Sequence, residues 1–297
     1  MPVHGLHQDL RVREGCMATL TNFHVITPRS LSEALDALAS IENVRPLAGG
    51  TDLMVMLESG GLRPCTFLNI QDLQELRSCG DLNALTTYRD ARVSALKDRF
   101  PMLAVAAREV GSLAIQSRGT WVGNIANASP AADGVPALMV YDAELEIRSR
   151  KEVRRTSLAE FYTGYKKMNL RSDELISGIH FLRVEAGYRE YYRKIGARRF
   201  QAISKTLLAG RIRLSGDRRV EDIRLVFASV APFTLRAFQT ERTLRGRHLT
   251  PEIIDEASSA IQDEIRPIDD IRSTEAYRRR VTSNLLRDFL SKDGAAG

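Results

Sequence analysis

The apolar positions of this chain change their spacing several times, and each change marks an element. FHVIT (23–27) is a short, β-rich run, and SLSEALDALASI (30–41) places Leu31, Ala34, Leu35 and Leu38 at intervals of three and four. VRPLA (44–48) is a short run again. The pattern predicts strand, helix, strand, with Ser30 or Ser32 capping the helix. Two glycines follow, then TDLMVMLESG (51–60), a helix that begins at a Thr/Asp pair and stops at Gly60-Gly61. CTFLNI (65–70) is another strand, so this part alternates strand and helix around a small parallel sheet.

From about residue 80 the rhythm differs. ALTTY (84–88), a helical FPMLAVAAREV (100–110), ALMVYDAELEIRS (137–149) and ELISGIHFLRV (174–184) read as an α+β unit with antiparallel strands. The segment TWVGNIANASPAADGVPAL (120–138) reads as a loop of small and polar residues. Beyond it, YREYYRKI (188–195) and IRLVFASVA (223–231) are expected strands, separated by a helical AISKTLLAGRI (202–212). Two helices close the chain, PEIIDEASSAIQDEI (251–265) and TEAYRRRVTSNLLRDFL (274–290), the first with Thr250 as cap and Pro251 at its first position.

The chain has 297 residues, 43% hydrophobic and 27% charged, so it can bury a sizeable core. No apolar run approaches the ~20 residues that span a bilayer, and MPVHGLHQDLRVREGC (1–16) lacks the apolar stretch of a secretory signal. These features predict a cytoplasmic protein with a disordered leader over 1–18 and Met17 as an alternative start. The net charge of +6 raises the question of nucleic acid. Apart from KEVRR (151–155) and RRR (278–280) the basic residues are scattered, without interleaved aromatics or a helix-turn-helix, zinc-finger or RNP pattern. A solvated face, or a surface that meets an acidic partner subunit, is expected instead. Cys16, Cys65 and Cys79 stand far apart, which argues against a disulfide framework, a zinc site or an iron–sulfur cluster in this chain. The histidines (His4, His7, His24, His180 and His248) show no metal-ligand spacing, and His180 reads as a satisfied strand histidine.

Two glycine-bearing segments carry candidate chemistry. LAGGTDL (47–53) delivers two glycines from a strand to the start of a helix. Glycine permits positive φ and lets several backbone N–H groups converge on one anion, beside the positive end of the helix dipole. A phosphate cradle and a tight turn in which glycine merely fits are both compatible with the motif alone. There is no GxxxxGK[ST], and no GxGxxG follows a strand, so neither a Walker loop nor a Rossmann site is present. In 120–138, Gly123 and the alanines remove bulk, while Thr120, Asn124, Asn127 and Ser129 supply neutral hydrogen-bonding groups and Asp133 a carboxylate. Ribityl and ribose hydroxyls suit that inventory; a structural loop closed by Asx-turns is the other reading.

Taken in order, LAGGTDL (47–53), LNALTTY (82–88), GTWVGNIANASPAADGVPALMVYDAELEI (119–147) and YRKIGARRFQAISKTLLAG (192–210) resemble the FAD-binding medium subunit of the molybdenum hydroxylases. This is the family of xanthine dehydrogenase, carbon monoxide dehydrogenase and 4-hydroxybenzoyl-CoA reductase. The resemblance implies an α+β protein. A two-subdomain FAD-binding fold of the vanillyl-alcohol oxidase-like (PCMH) type would cover 19–185, divided at about 78/79. A small α+β C-terminal domain would cover 186–297.

The resemblance also implies non-covalent FAD, with its pyrophosphate held by Gly49, Gly50, Thr51 and Asp52 and by flanking Leu47, Ala48 and Leu53. Thr120, Gly123 and Asn124 fall on the family's second FAD loop, with Ser129 further along it. Asp133 matches a carboxylate at the cofactor's sugar portion, Lys194 a lysine near the flavin, Val110 an apolar residue beside the isoalloxazine, and Ile176 another lining residue. One departure stands out: the family pattern Thr-x-Gly-Gly-Asn has Val122 at its first glycine. If that position needs positive φ, the valine is strained and the loop shifts.

A division of labour is implied as well. The substrate would react at a molybdenum cofactor on a large subunit, and [2Fe–2S] clusters on a small subunit would carry electrons to FAD here. NAD or another acceptor would complete the chain, in a heterotrimer that is single or dimerised. No metal and no catalytic acid or base is then expected in this chain. Its three dispersed cysteines cannot supply the four ligands of the iron–sulfur segment that some family members insert. The alternative is a stand-alone FAD-dependent oxidoreductase on the same fold, which would need substrate-binding residues of its own and often a histidine for covalent flavin attachment.

Overall fold

A computed structural model describes residues 22–182, 186–199 and 201–292. The expected leader over 1–18, with Cys16 and Met17, lies outside the described residues. The chain begins with β1 (His24–Ile26), α1 (Leu31–Ser40), β2 (Val44–Leu47), α2 (Leu53–Glu58) and β3 (Thr66–Asn69). The three strands form a sheet in the order β1-β3-β2 with both pairs parallel, as the alternation predicts. Ser30 caps α1 by accepting the Glu33 N–H. Successive side chains of β3 point to opposite faces. Leu68 joins the main core, where α1 buries Ala34, Leu35 and Leu38. Phe67 joins a satellite cluster beneath Leu53, Met56 and Leu57 of α2.

The next stretch is helical first and stranded later. β4 (Leu82–Asn83) leads to α3 (Tyr88–Val93), α4 (Leu96–Arg99), α5 (Pro101–Glu109), α6 (Leu113–Arg118), α7 (Trp121–Asn127) and α8 (Gly134–Met139). Then come β5 (Ala143–Arg148), β6 (Val153–Ser157), α9 (Leu158–Phe161), β7 (Tyr162–Gly164), β8 (Lys167–Met168) and β9 (Leu175–Phe181). The main sheet here runs β4-β9-β5-β6 and is antiparallel throughout, with β7 and β8 as a separate hairpin.

Two expectations change. Residues 120–138 are not a loop but two short helices packed together, for which small residues allow close approach. ALTTY is not a strand: Thr87 forms a capping box with Asp90 that starts α3.

The remainder comprises β10 (Arg189–Ile195), β11 (Thr206–Leu214), β12 (Val220–Ala228), β13 (Leu235–Arg236), α10 (Phe238–Leu244), α11 (Pro251–Glu264) and α12 (Glu275–Ser291). The four strands make one antiparallel sheet in sequence order. Residues 202–212, expected to be helical, instead contribute the central strand β11. Thr206 to Ile212 are buried without a break. A strand covered on both faces loses the polar–apolar alternation that identifies strands, so its sequence reads like a buried helix.

What covers those faces sets the architecture. Leu207 and Ala209 of β11, with Val226 and Ala228 of β12, belong to the main core. Leu208 and Ile212, with Leu225 and Phe227, belong to a second core under α10, α11 and α12. The C-terminal sheet is therefore a shared wall between two hydrophobic cores. At Gly210 a Cβ would lie 2.6 Å from the Phe289 ring, so the glycine lets α12 sit against this wall.

The basic run at 278–280 is expected on a solvated face or on a surface that meets an acidic partner, and its first member is on neither. Arg278 is 3% exposed and donates from Nη1 to the Lys205 and Ser229 carbonyls (2.6 and 2.8 Å) and from Nη2 to Asp270 (2.8 Å). Partial burial works against ionisation of Asp270, but the Arg272 and Ser273 N–H groups and the Arg278 guanidinium prevail and bring its carboxyl down to about 2. Arg278→Ala should lower the unfolding free energy by about 3 kcal/mol, because a carboxylate and two carbonyls lose their donor. The check is a lower denaturant midpoint at unchanged slope. A midpoint equal to that of the parent protein would refute a structural role.

Candidate functional site

The two glycine segments meet. A Cβ on Gly49 would lie 2.0 Å from the Arg118 carbonyl oxygen and 3.0 Å from the Gly119 Cα. A Cβ on Gly119 would in turn lie 3.0 Å from Tyr88 Cε2 and 3.3 Å from Thr51 Oγ1. Bulk is thus excluded by the protein itself, at Gly49 by backbone alone and at Gly119 by the Ile115 carbonyl (3.0 Å) together with those two side chains. Gly50 has a different reason, a φ of +75° at the turn between β2 and α2.

Small residues in the next segment also serve helix packing. Thr120 caps α7, its Oγ1 accepting the Gly123 N–H at 3.0 Å, and a Cβ on Gly123 would crowd that oxygen at 2.9 Å. Gly134 lets α8 close on α7, since its Cβ would meet Asn124 Oδ1 at 3.0 Å and the Trp121 ring at 3.2 Å. Asn127 at the end of α7 donates to Asp52 Oδ1 (3.0 Å) at the head of α2. Val122 lies inside α7, buried and without positive φ, so the expected strain does not arise.

These contacts leave a cleft of about 640 Å³ between the β2–α2 turn, α7 and the β7–β8 hairpin. That is the size of a small-molecule or cofactor pocket. Its walls alternate chemistry: Tyr88, Met168, Leu170 and Ile176 are among the apolar groups, and Thr51, Asn124, Lys166 and Arg171 among the polar ones. Two observations mark it as a polar-ligand site. First, the N–H groups of Gly49, Gly50, Thr51 and Asp52 donate to no acceptor among the described residues. Second, the buried Asn124 Oδ1 has no hydrogen-bond partner. Such orphans are uncommon unless a ligand or water completes them. α2 has only six residues, so what this end of the cleft offers an anion is the turn's own N–H groups rather than a long helix dipole.

The residues singled out from sequence fall into two sets. Ala48, Gly49, Gly50, Thr51, Asp52 and Leu53 line the cleft from one side. Thr120, Gly123 and Asn124 line it from another, and Ile176 of β9 contributes to the wall. Leu47 packs in the satellite cluster under α2. Val110 packs on the main core, with its carbonyl accepting from Gln116 (3.0 Å). Ser129 accepts the Ala131 N–H in a local turn (3.3 Å).

Asp133 and Lys194 are bonded to each other outside the cleft lining, Oδ2 to Nζ at 2.7 Å, with side chains only 12% and 6% exposed. Asp133 Oδ1 accepts from Ser204 (2.5 Å), its carbonyl accepts from the Tyr192 hydroxyl (2.9 Å), and Lys194 also donates to the Glu109 carbonyl (2.9 Å). Burial pushes the Asp133 carboxyl above its ordinary range, against the pull of Lys194 and Ser204. The network ties α8 and the end of α5 to β10 and the residues before β11.

Sequence reasoning did not single out Tyr88, Lys166, Met168 or Arg171, which share the wall. Tyr88 ends LNALTTY, a segment matched by resemblance without a role for its tyrosine, and the other three come from a stretch without a motif, where only Gly164 in the β7–β8 hairpin hints at a turn. His180 behaves as expected, its Nε2 2.9 Å from Glu146 Oε2 on the neighbouring strand. Among the described residues no group of His, Cys, Asp and Glu is arranged to hold a metal, and no helix is long and apolar enough to cross a membrane.

Comparisons with known proteins bear on the same segments. A family model described as the FAD binding domain in molybdopterin dehydrogenase matches residues 21–181. One described as the CO dehydrogenase flavoprotein C-terminal domain matches residues 190–292. The chain is 31% identical over 270 residues to the glyceraldehyde dehydrogenase medium chain of Sulfolobus acidocaldarius, covering 89% of this chain and 95% of that protein. It is 27% identical over 278 residues to the xanthine dehydrogenase FAD-binding subunit of Escherichia coli O157:H7, covering 90% and 94%. Among solved structures, a chain of carbon monoxide dehydrogenase from Hydrogenophaga pseudoflava superposes with a TM-score of 0.84 at 26% identity, covering 90% and 95%.

The contact between the glycine segments is testable by itself. Gly49→Ala should destabilise the apo-protein by about 1–3 kcal/mol, the usual cost of overpacking, and should weaken flavin binding because the two walls separate. Gly60→Ala is the control: its φ is +68° but nothing lies within 4 Å, so it should cost about 1 kcal/mol and leave flavin affinity unchanged. Thermal unfolding and flavin titration read both, and a Gly49→Ala protein as stable as its parent would contradict the contact.

Proposed function

The chain belongs to the FAD-binding medium subunits of the molybdenum hydroxylases, and from that premise we propose that it is the electron-transfer subunit of such a complex. It would pass electrons between [2Fe–2S] clusters on a small subunit and NAD or another acceptor. A molybdenum-cofactor large subunit would carry out the substrate chemistry. The observation that supports this most is the cleft itself, whose lining combines residues with open backbone N–H groups, Gly49–Asp52, and a wall suited to hydroxyls and rings. A pyrophosphate fits the first feature, and the ribityl, ribose and aromatic parts of FAD fit the second. FAD, when bound, supplies one-electron exchange with iron–sulfur centres and two-electron exchange with a nicotinamide.

This chain's own tasks follow from its groups. Gly50 keeps the turn in the conformation that presents its N–H groups, and Gly49 and Gly119 bring the two walls together. Asn124 lines the cleft, and its Oδ1, buried beside Gly134, has no protein donor. Ile176, Met168 and Leu170 exclude water from the wall. Asp133 and Lys194, bonded to each other, would meet the cofactor only from the side, and would chiefly hold α8 against β10. Among the described residues, no cleft-lining side chain has the pairing of a substrate acid with a base: Glu174 is held by Arg154 and Arg171, and Asp52 by Asn127. Positioning of the flavin and docking of partners, rather than proton transfer to an organic substrate, is the work such a cleft can do.

The purified chain should take up FAD and show flavin absorbance, with at most slow NADH oxidation in the presence of an artificial acceptor. Anaerobic flavin reduction by a purine, an aldehyde or an aromatic thioester should require the molybdenum and iron–sulfur subunits. Assembly with them should weaken as salt rises, because the net charge of +6 favours an acidic partner. Rapid flavin reduction by an organic substrate in the isolated chain would favour the stand-alone oxidoreductase instead.

A further inference from the structure

Three cationic side chains line the cleft: Arg45, Lys166 and Arg171. Arg171 is committed to carboxylates, with Nη2 2.6 Å from Glu152 and 3.0 Å from Glu174, and Nε 3.5 Å from Asp173. Arg45, on β2, lies near enough to Cys65 to act on its thiol. Lys166 differs from Arg171 in being uncommitted, and from Arg45, which likewise has no ion pair or side-chain hydrogen bond among the described residues, in acting on the glycine turn itself. It has no ion pair and no hydrogen bond among the described residues. Its charge is felt at Asp52, where burial pushes the carboxyl up and the ammonium opposes the rise. Asp52 is the last residue of the turn whose N–H groups stand open.

The backbone at Lys166 points the same way. The residue sits in the two-residue turn between β7 and β8, where Gly164 pairs with Lys167, and its φ is +52°. Glycine or asparagine is the usual occupant of such a position. The hairpin is not adrift: the Tyr162 hydroxyl donates to the Ile125 carbonyl of α7 (3.1 Å), and the Asn169 N–H to the Phe161 carbonyl (2.8 Å). A turn fastened to α7 therefore carries an unpartnered ammonium at the rim of the cleft, on a backbone conformation unfavourable for lysine.

We propose that Lys166 grips a phosphate of the bound dinucleotide, supplying the mobile positive charge opposite the fixed N–H groups of Gly49–Asp52, and so favours FAD over unphosphorylated flavin. This rests on the reading of the cleft as the FAD site. Arg171 cannot serve in the same way without releasing three carboxylates. Lys166 can do so at no such cost.

The experiment titrates the apo-protein with FAD and with riboflavin, following flavin fluorescence at low and high salt. Lys166→Gln should raise the Kd for FAD about three- to fivefold, the range of an exposed ion pair. It should also reduce the salt dependence and leave riboflavin binding unchanged. Lys166→Arg should keep most of the affinity for FAD. Lys166→Gly separates the functional role from a structural one: it should melt no lower than the parent, because glycine tolerates the turn, yet bind FAD as weakly as the glutamine variant. Equal FAD affinity and salt dependence in Lys166→Gln would overturn the proposal while leaving the cleft as the FAD site. Equal loss of FAD and riboflavin with a lowered melting temperature would overturn it as well. A parent protein that binds neither would remove the FAD reading and this inference together.

Discussion

Gly49 lies against the carbonyl of Arg118, and the site depends on that approach. A single methyl group at Gly49 would occupy the space of the Arg118 oxygen, 2.0 Å away. The contact joins the turn after a parallel strand to the end of α6, just before α7, segments that are distant in the chain. From it follow the width of the cleft, the position of Thr51 beside Gly119 and the register in which Asn127 reaches Asp52. A cleft built by backbone contact is more rigid than one built by side chains, because no rotamer can relax it.

A second constraint lies on the far side of the molecule. The C-terminal sheet has no solvent face along β11, and each of its central strands sends alternate residues into two cores. The Asp133–Lys194 pair stands where α8 meets this sheet, together with Ser204 and Tyr192. Buried pairs of this kind contribute little net stability, but removing one partner leaves the other charge stranded. They therefore fix a relative position well. Residues beyond 186 thus take part in holding α8, and through Gly134 and Trp121 they hold α7 and the cleft wall.

The cleft offers backbone N–H groups, amide and hydroxyl acceptors, aliphatic walls and, among the described residues, two cations without an ion pair, Lys166 and Arg45. Among the described residues its lining holds no thiol, no histidine and no free acid–base pair. Chemistry of that kind holds and positions a cofactor, which accords with a subunit whose partners would carry the metal centres.

Much of this was legible in the residue order. Periodicity gave α1, α11 and α12, a cap at Ser30 or Ser32, the Thr250 cap and the parallel and antiparallel character of the first two sheets, since apolar spacing and capping chemistry act locally. The glycine segments could be recognised as functional candidates and assigned by resemblance to a family. Three things were settled only by tertiary structure. β11 read as a helix because burial on both faces erases the alternation that local reasoning relies on. The segment 120–138 read as a loop because its small residues are explained by contacts with distant backbone and with each other, not by flexibility. The placement of Lys166 beside the cleft, and of Asp133 and Lys194 beyond its lining, depends on how strands far apart in sequence are laid together. Sequence determines which chemistry is available and the local form of most segments. Only packing decides which backbones touch, which charges are stranded and which are left free to meet a ligand, because those outcomes depend on distances between residues that no local pattern encodes.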